Sequence, residues 1–218
     1  HRFVNNKVDL ICAIATPAAQ TVANVTSDIP IVATAVTDYK TAKLVKDDAK
    51  PGTNVTGTTD MNPVAEQLDL LLKLVPNAKT IGTIYCSSEV NSQLQVELLK
   101  KAAAAKGITV KEATVSTVND IQQAARSLAG DVQAVYVPTD NVLASAIPTL
   151  ISVTEEAKLP VICAEGGMVR AGGLATLGVD YYKLGFQTGV MAADILSGKA
   201  KPADMAIQAQ KEFKPTIN

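Results

Sequence analysis

The chain has no tryptophan, three phenylalanines and a single histidine, which is its first residue. Without an interior imidazole, Ser-His-Asp and Cys-His arrangements and His-rich metal sites are excluded from any buried centre. Without indole, the broad stacking faces common in sugar sites are lacking, so a sugar is a less favoured ligand. Cysteine is scarce as well. Cys12, Cys86 and Cys163 lie far apart, each in or at the end of an apolar strand-like run, and no CxxC occurs. They read as buried free thiols. Neither sign of charge prevails: the net charge is −1, which gives no electrostatic case for nucleic acid or an anionic membrane as partner. No apolar run approaches the ~18 residues of a membrane span. Phosphate-cradling loops are missing too. No GxGxxG follows a strand and there is no GxxxxGKS/T; Gly166-Gly167 and Gly172-Gly173 lack that spacing and read as turns or a hinge. The nucleophile elbow GxSxG is also absent.

What is present is a 218-residue chain, 47% hydrophobic and 19% charged, enough for one large or two small packed domains. Its centre is Thr80–Val110: a β-branched strand to Cys86, a polar loop, a helix over Gln93–Lys106 stopped by Gly107, and a strand from Ile108. Leu94, Leu98 and Leu99 mark that helix's apolar stripe. The same alternation runs along the whole sequence. Strands are expected at Val8–Ile14, Ile29–Ala35, Asp131–Pro138, Leu159–Ala164 and Leu174–Leu177. Helices are expected after Thr16, which reads as an N-cap before Pro17, and over Asn62–Leu74, Val118–Ala129, Val142–Ala157 with a bend at Pro148, and Tyr181–Ser197. Alternating strands and helices indicate an α/β fold with a mainly parallel sheet.

Nearly every strand is followed at once by polar residues: Thr16, Thr37-Asp38, Ser87 to Ser92, Thr139-Asp140-Asn141, Glu165 and Asp180. The C-terminal edge of an open α/β sheet is where small ligands bind, and helix N-termini there favour anions. One such loop is ordinary capping; six indicate a polar binding edge. Asp140, Glu165 and Asp180 lack metal-ligand spacing, so neither a metal nor a cofactor is expected, and an enzyme is the least favoured reading. Hydroxyls, helix N–H groups and acidic side chains suit a zwitterion. The cluster Ser88, Asn91 and Ser92 is the expected carboxylate site, and Asp140 the first candidate partner of the ammonium, ahead of Glu165 and Asp180.

The stretches ATPAAQ (15–20), IPIVATAVTD (29–38), NVTGTTDMNPV (54–64), PNAKTIGTIYCSSEVNS (76–92), AVYVPTDN (134–141), AEGGMVRAGGLATLGVDYYKLGFQTG (164–189) and PADMAIQ (202–208) together resemble bacterial solute-binding proteins of ABC importers of the tryptophan/tyrosine-uptake type. The resemblance implies the type I periplasmic-binding fold: two doubly wound lobes of parallel sheet, helices on both faces, and one ligand in a cleft. Lobe one is expected at residues 1–60 and 167–198, and lobe two at 61–166 and 199–218. Thr16, Thr37, Asp38 and Asp180 would then serve from lobe one, and Ser88, Glu89, Asn91, Ser92, Asp140, Asn141 and Glu165 from lobe two. The implied ligand is an amino acid, aromatic in this family, and the implied partner is a membrane permease. The implied location is extracytoplasmic, with membrane contact only through a lipid anchor outside these residues. Relative to the family, a β-α-β-α segment before Val8–Ile14 is missing, including a central strand of lobe one; that lobe is expected to expose a wide apolar edge, and these 218 residues expressed alone to bind ligand poorly and aggregate. The alternative is a ligand-binding module of a sensor or transcriptional regulator, since one fold serves both uses.

Overall fold

The computed structural model describes residues 1–218. In chain order the elements are α1 (Arg2–Asn5), β1 (Ile11–Ile14), α2 (Thr16–Ala23), β2 (Ile31–Val36), β3 (Val55–Thr59), α3 (Val64–Leu74), β4 (Thr80–Cys86), α4 (Val90–Ala104), β5 (Thr109–Val115), α5 (Ile121–Leu128), β6 (Val135–Val137), α6 (Asn141–Ser145), α7 (Ile147–Glu156), β7 (Val161–Cys163), α8 (Gly166–Arg170), β8 (Ala175–Gly178), α9 (Tyr181–Leu196), β9 (Gln208–Ala209) and β10 (Lys214–Ile217). They form two compact units: residues 1–61 with 180–212, and residues 62–179 with 213–218. The division differs from the expected one in two segments. Residues 167–179 belong to the second unit because β8 hydrogen-bonds to β7, and 199–212 belong to the first because β9 pairs with β3.

Unit 1 carries a parallel four-stranded sheet in the order β1-β2-β3-β9. β2 is apolar but for Thr34, and Ile31, Val32 and Ala33 are wholly buried. Val32 packs with Met191, Ala192 and Ile195 of α9. β1 is an edge strand with only one face covered, so Ile11 and Ala13 are buried while Ile14 and Cys12 are exposed. This corrects the reading of Cys12 as a buried thiol; Cys86 and Cys163 are buried as expected. Gly57 in β3 has φ +152°, and a Cβ there would lie 1.8 Å from the Ala33 carbonyl oxygen and 2.4 Å from the Tyr39 hydroxyl. The space is used: Tyr39 Oη donates to the carbonyls of Ala33 at 2.8 Å and Thr58 at 3.1 Å.

Unit 2 carries a six-stranded sheet in the order β10-β8-β7-β6-β4-β5, parallel except for β10 against β8. Side chains alternate across a strand, and β6 shows the result. Val135 and Val137 join one core with Ile121, Leu128 and Leu150 from α5 and α7. Ala134 and Tyr136 join the other with Leu68, Leu71 and Leu99 from α3 and α4. Helices thus cover both faces, and each fully buried Leu or Ile contributes about 1.5–3 kcal/mol. A buried glutamine ties this core together. Gln67 Nε2 donates to the carbonyls of Ala164 at 3.0 Å and Leu177 at 2.7 Å, and Tyr136 Oη donates to Gln67 Oε1 at 2.7 Å.

Three local expectations need correction. The buried face of α4 is Asn91, Ser92, Gln95, Val96, Leu99 and Ala103; of the expected stripe only Leu99 is buried, while Leu94 is half-buried and Leu98 is 38% exposed. Polar residues face inward there because they bond to the loop after β6, as described below. Pro148 does not bend one helix: it sits in the first turn of α7, where its missing N–H costs nothing, and α6 is separate. Gly166-Gly167 open the short helix α8 rather than forming a turn.

Candidate functional site

In unit 2 the strand-end loops after β4 and β6 lie side by side, because the two strands are parallel neighbours. They carry Glu89, Asn91, Ser92, Asp140 and Asn141 into one hydrogen-bonded network. Asp140 is 1% exposed, and its carboxylate accepts from Cys86 N at 2.6 Å, Ser92 Oγ at 2.7 Å and Leu143 N at 2.8 Å. Glu89 is 5% exposed and accepts from Asn91 Nδ2 at 3.0 Å, Asn141 Nδ2 at 2.7 Å, Asn141 N at 3.1 Å and Val142 N at 3.2 Å. Two carboxylates therefore cap the start of α6, where free N–H groups favour anions. Asn91 Nδ2 also donates to the Thr139 carbonyl at 2.9 Å, while its Oδ1 is buried without a partner. Burial, and behind it the negative charge of Glu89, raise the Asp140 pKa, against the pull of its three donors.

The remaining unit 2 candidates stand apart from this network. Ser88 is exposed, its Oγ 3.2 Å from Cys86 Sγ. Glu165, at the end of β7, caps α8 by accepting from Gly167 N and, at 2.7 Å, from Met168 N. The sequence reading of the site passed over Gln95 and Asn62. Gln95 is wholly buried, and both Gln95 and Asn62 donate to Thr139 Oγ1, at 3.0 and 3.1 Å. Neither follows a strand directly, so the strand-end pattern could not find them.

In unit 1, Thr37 follows β2 and donates from Oγ1 to Asp60 Oδ1 at 3.1 Å. Tyr181 Oη donates to the other Asp60 oxygen at 2.7 Å. Asp60 is wholly buried and was also missed; the signal available was an acid closing a run of Thr and Gly, TGTTD. Asp38 accepts from Thr41 N at 2.7 Å, and Asp180 caps α9 by accepting from Lys183 N at 3.2 Å. Thr37 and Asp38 border a cavity of about 260 Å3 with Tyr39, Asp48, Thr59 and Met61. Thr16 is not an N-cap, as its position suggested. It is the first residue of α2, and Ala15 takes the capping position with φ 75°. No group of three or more His, Cys, Asp or Glu side chains is placed to hold a metal ion.

Residues 1–218 match the family described as ABC transporter substrate binding protein. The chain belongs to that family. As a substrate-binding family chain it is 45% identical over 217 residues to the tyrosine-binding protein of Clostridioides difficile (strain R20291), covering 100% of this chain and 63% of the relative. The chain thus spans less than two thirds of that relative's length. A solved structure of an ABC domain from Streptococcus pneumonia in complex with L-Trp superposes with a TM-score of 0.96 at 43% identity, covering 100% of this chain and 75% of the other. The ligand-free, open structure of a substrate binding protein with adhesive properties from Clostridium difficile gives a TM-score of 0.72 at 46% identity, covering 100% and 73%. The fold is the α/β periplasmic-binding fold, with parallel sheets carrying helices on both faces. Its family and these relatives are binding proteins, and no helix of the chain is long and apolar enough to cross a membrane.

Proposed function

We propose that this chain is the ligand-capturing component of an ABC importer, and that its ligand is an aromatic amino acid. The observation that carries the reading is the whole-chain likeness, at 45% and 43% identity, to a tyrosine-binding protein and to a domain solved with L-Trp. The strand-end chemistry agrees with it. Each unit presents hydroxyls and carboxylates at the C-terminal ends of its strands, the donor and acceptor set that a zwitterion needs. The proposed contacts are drawn from Thr16, Thr37, Asp38 and Asp180 in unit 1, and from Ser88, Glu89, Asn91, Ser92, Asp140, Asn141 and Glu165 in unit 2. Capture requires no catalysis, and the proposed partner is a membrane permease that receives the amino acid on the extracytoplasmic side. A lipid anchor is part of the same proposal.

The test is a thermal-shift screen of the twenty amino acids. A ligand that binds only the native state adds about 2.7 kcal/mol at a hundredfold excess over Kd. Tyrosine, tryptophan or phenylalanine should raise the melting temperature by several degrees, with calorimetry giving one site. A shift produced only by aliphatic or acidic amino acids, or by none, would overturn the aromatic assignment.

A further inference from the structure

We propose that Gln210 is a positioning residue for ligand capture: its side-chain amide holds the backbone of Asp180, and with it the start of α9, in the arrangement that the ligand meets. This rests on the amino-acid reading above. The chain passes from one unit to the other three times, between residues 61 and 62, 179 and 180, and 212 and 213. At the middle passage β8 ends at Gly178 and α9 starts at Tyr181, so Val179 and Asp180 belong to neither element and have no strand partner. A backbone group in such a place still needs a hydrogen bond.

Gln210 supplies both bonds at once. Its Oε1 accepts from Asp180 N at 2.9 Å, and its Nε2 donates to the Asp180 carbonyl at 2.6 Å. That carbonyl also accepts from Leu184 N at 3.0 Å, the opening bond of α9. Only a side-chain amide carries a donor and an acceptor side by side; glutamate has no donor and lysine no acceptor. Gln208 and Gln210 stand two apart, a spacing that puts both on one face of an extended chain. The contacts follow it, since Gln208 Oε1 accepts from Gln187 Nε2 of α9 at 2.6 Å. Gln210 is half-buried, whereas Lys211 and Glu212 beside it are exposed. Tyr181 extends the tie to the first passage through its 2.7 Å bond to Asp60, whose other oxygen takes the Thr37 hydroxyl. All of these residues lie in unit 1. Asp180 and Thr37, both proposed contacts, are therefore held by side chains from the other passages. A site already held in place gives up less conformational freedom on binding, so the amide acts on affinity through Asp180.

Two measurements on three variants test the role. Gln210→Met keeps the length of the side chain and removes both bonds. Gln210→Glu keeps an acceptor for the Asp180 N–H. Gln208→Met removes only the bond to Gln187 on the same face and serves as the control. In the first measurement, hydrogen exchange of the Asp180 amide is followed in 15N-labelled protein. It should be about tenfold faster or more in Gln210→Met, and within about threefold of the parent in Gln210→Glu and Gln208→Met. An unchanged rate in Gln210→Met overturns the proposal whatever the natural ligand is. In the second, L-tyrosine and L-tryptophan are titrated by calorimetry. Gln210→Met should weaken both about tenfold. Its ligand-free melting temperature should stay within about 3 °C of the parent. Gln208→Met should bind within about twofold of the parent. Binding by Gln210→Met within twofold of the parent overturns the role while leaving the amino-acid reading intact. An equal loss in Gln208→Met, or a larger fall in melting temperature, also overturns it, because the amide would then only support the packing of α9. A parent that binds neither amino acid sinks the amino-acid reading, and the role with it.

Discussion

Asp140 meets three donors from three places in the chain: the end of β4, the first turn of α4 and the first turn of α6. Asp140→Ala strands all three, and a buried donor without its partner costs about 1–3 kcal/mol. Urea denaturation should show a loss of about 3 kcal/mol or more; a loss under 1 kcal/mol would mean that the loops re-pair without it. The side chain also sets a pH dependence. Its native pKa is raised above the ordinary 3.8, by burial first and by Glu89 second. The folded state therefore holds the proton more tightly than the unfolded chain. Stability is gained as pH falls, and is lost as pH rises from 3.8 through the raised native value. Asp140→Asn removes that titration, so the stability of the parent relative to this variant should decline with rising pH across the window. A flat difference would show that the carboxyl titrates normally.

At the scale of elements, β3 has least room for change. Gly57→Ala would drive a Cβ against the Ala33 carbonyl and the Tyr39 hydroxyl at a φ that L-residues rarely adopt. A loss of about 4 kcal/mol or more is expected. By hydrogen exchange it should appear as faster exchange in β2 and β3 with β4 to β7 still protected; uniform loss would mean that the two units unfold together. Elements of this kind show how far the sequence could be read. Strands such as β2 and β4 are dense in β-branched residues, so their existence and the parallel α/β class were legible, and the polar residues that follow them located the candidate site. Side-chain orientation was less legible. α4 turns Asn91, Ser92 and Gln95 inward because Thr139 and Asp140 wait there, and only tertiary structure makes that polar face the buried one. Asp60 and Tyr181 meet although they are 121 residues apart, which no local pattern records. α8 forms from a Gly-Gly pair because Glu165 caps it.

Across the whole molecule, long-range charge contributes little. The ion pairs, such as Lys106–Asp69 at 2.7 Å and Lys50–Asp204 at 3.4 Å, involve exposed side chains, and such pairs contribute about 0–1 kcal/mol each. Burial carries the fold, and the way the two units share the chain gives that burial an order in time. Unit 1 begins the sequence yet is completed only by residues 180–212, whereas unit 2 lacks only its last strand, β10, once Val179 has been made. Domains fold as units while the ribosome is still working. The part translated first must therefore wait for the part translated later. Nascent chains stalled just after Val179 has left the exit tunnel should resist protease across residues 62–179 while residues 1–61 are still digested. Chains stalled after Glu212 has emerged should protect both. For some thirty residues of synthesis, the span from Asp180 to Glu212, residues 1–61 depend on whatever holds unfinished chains apart.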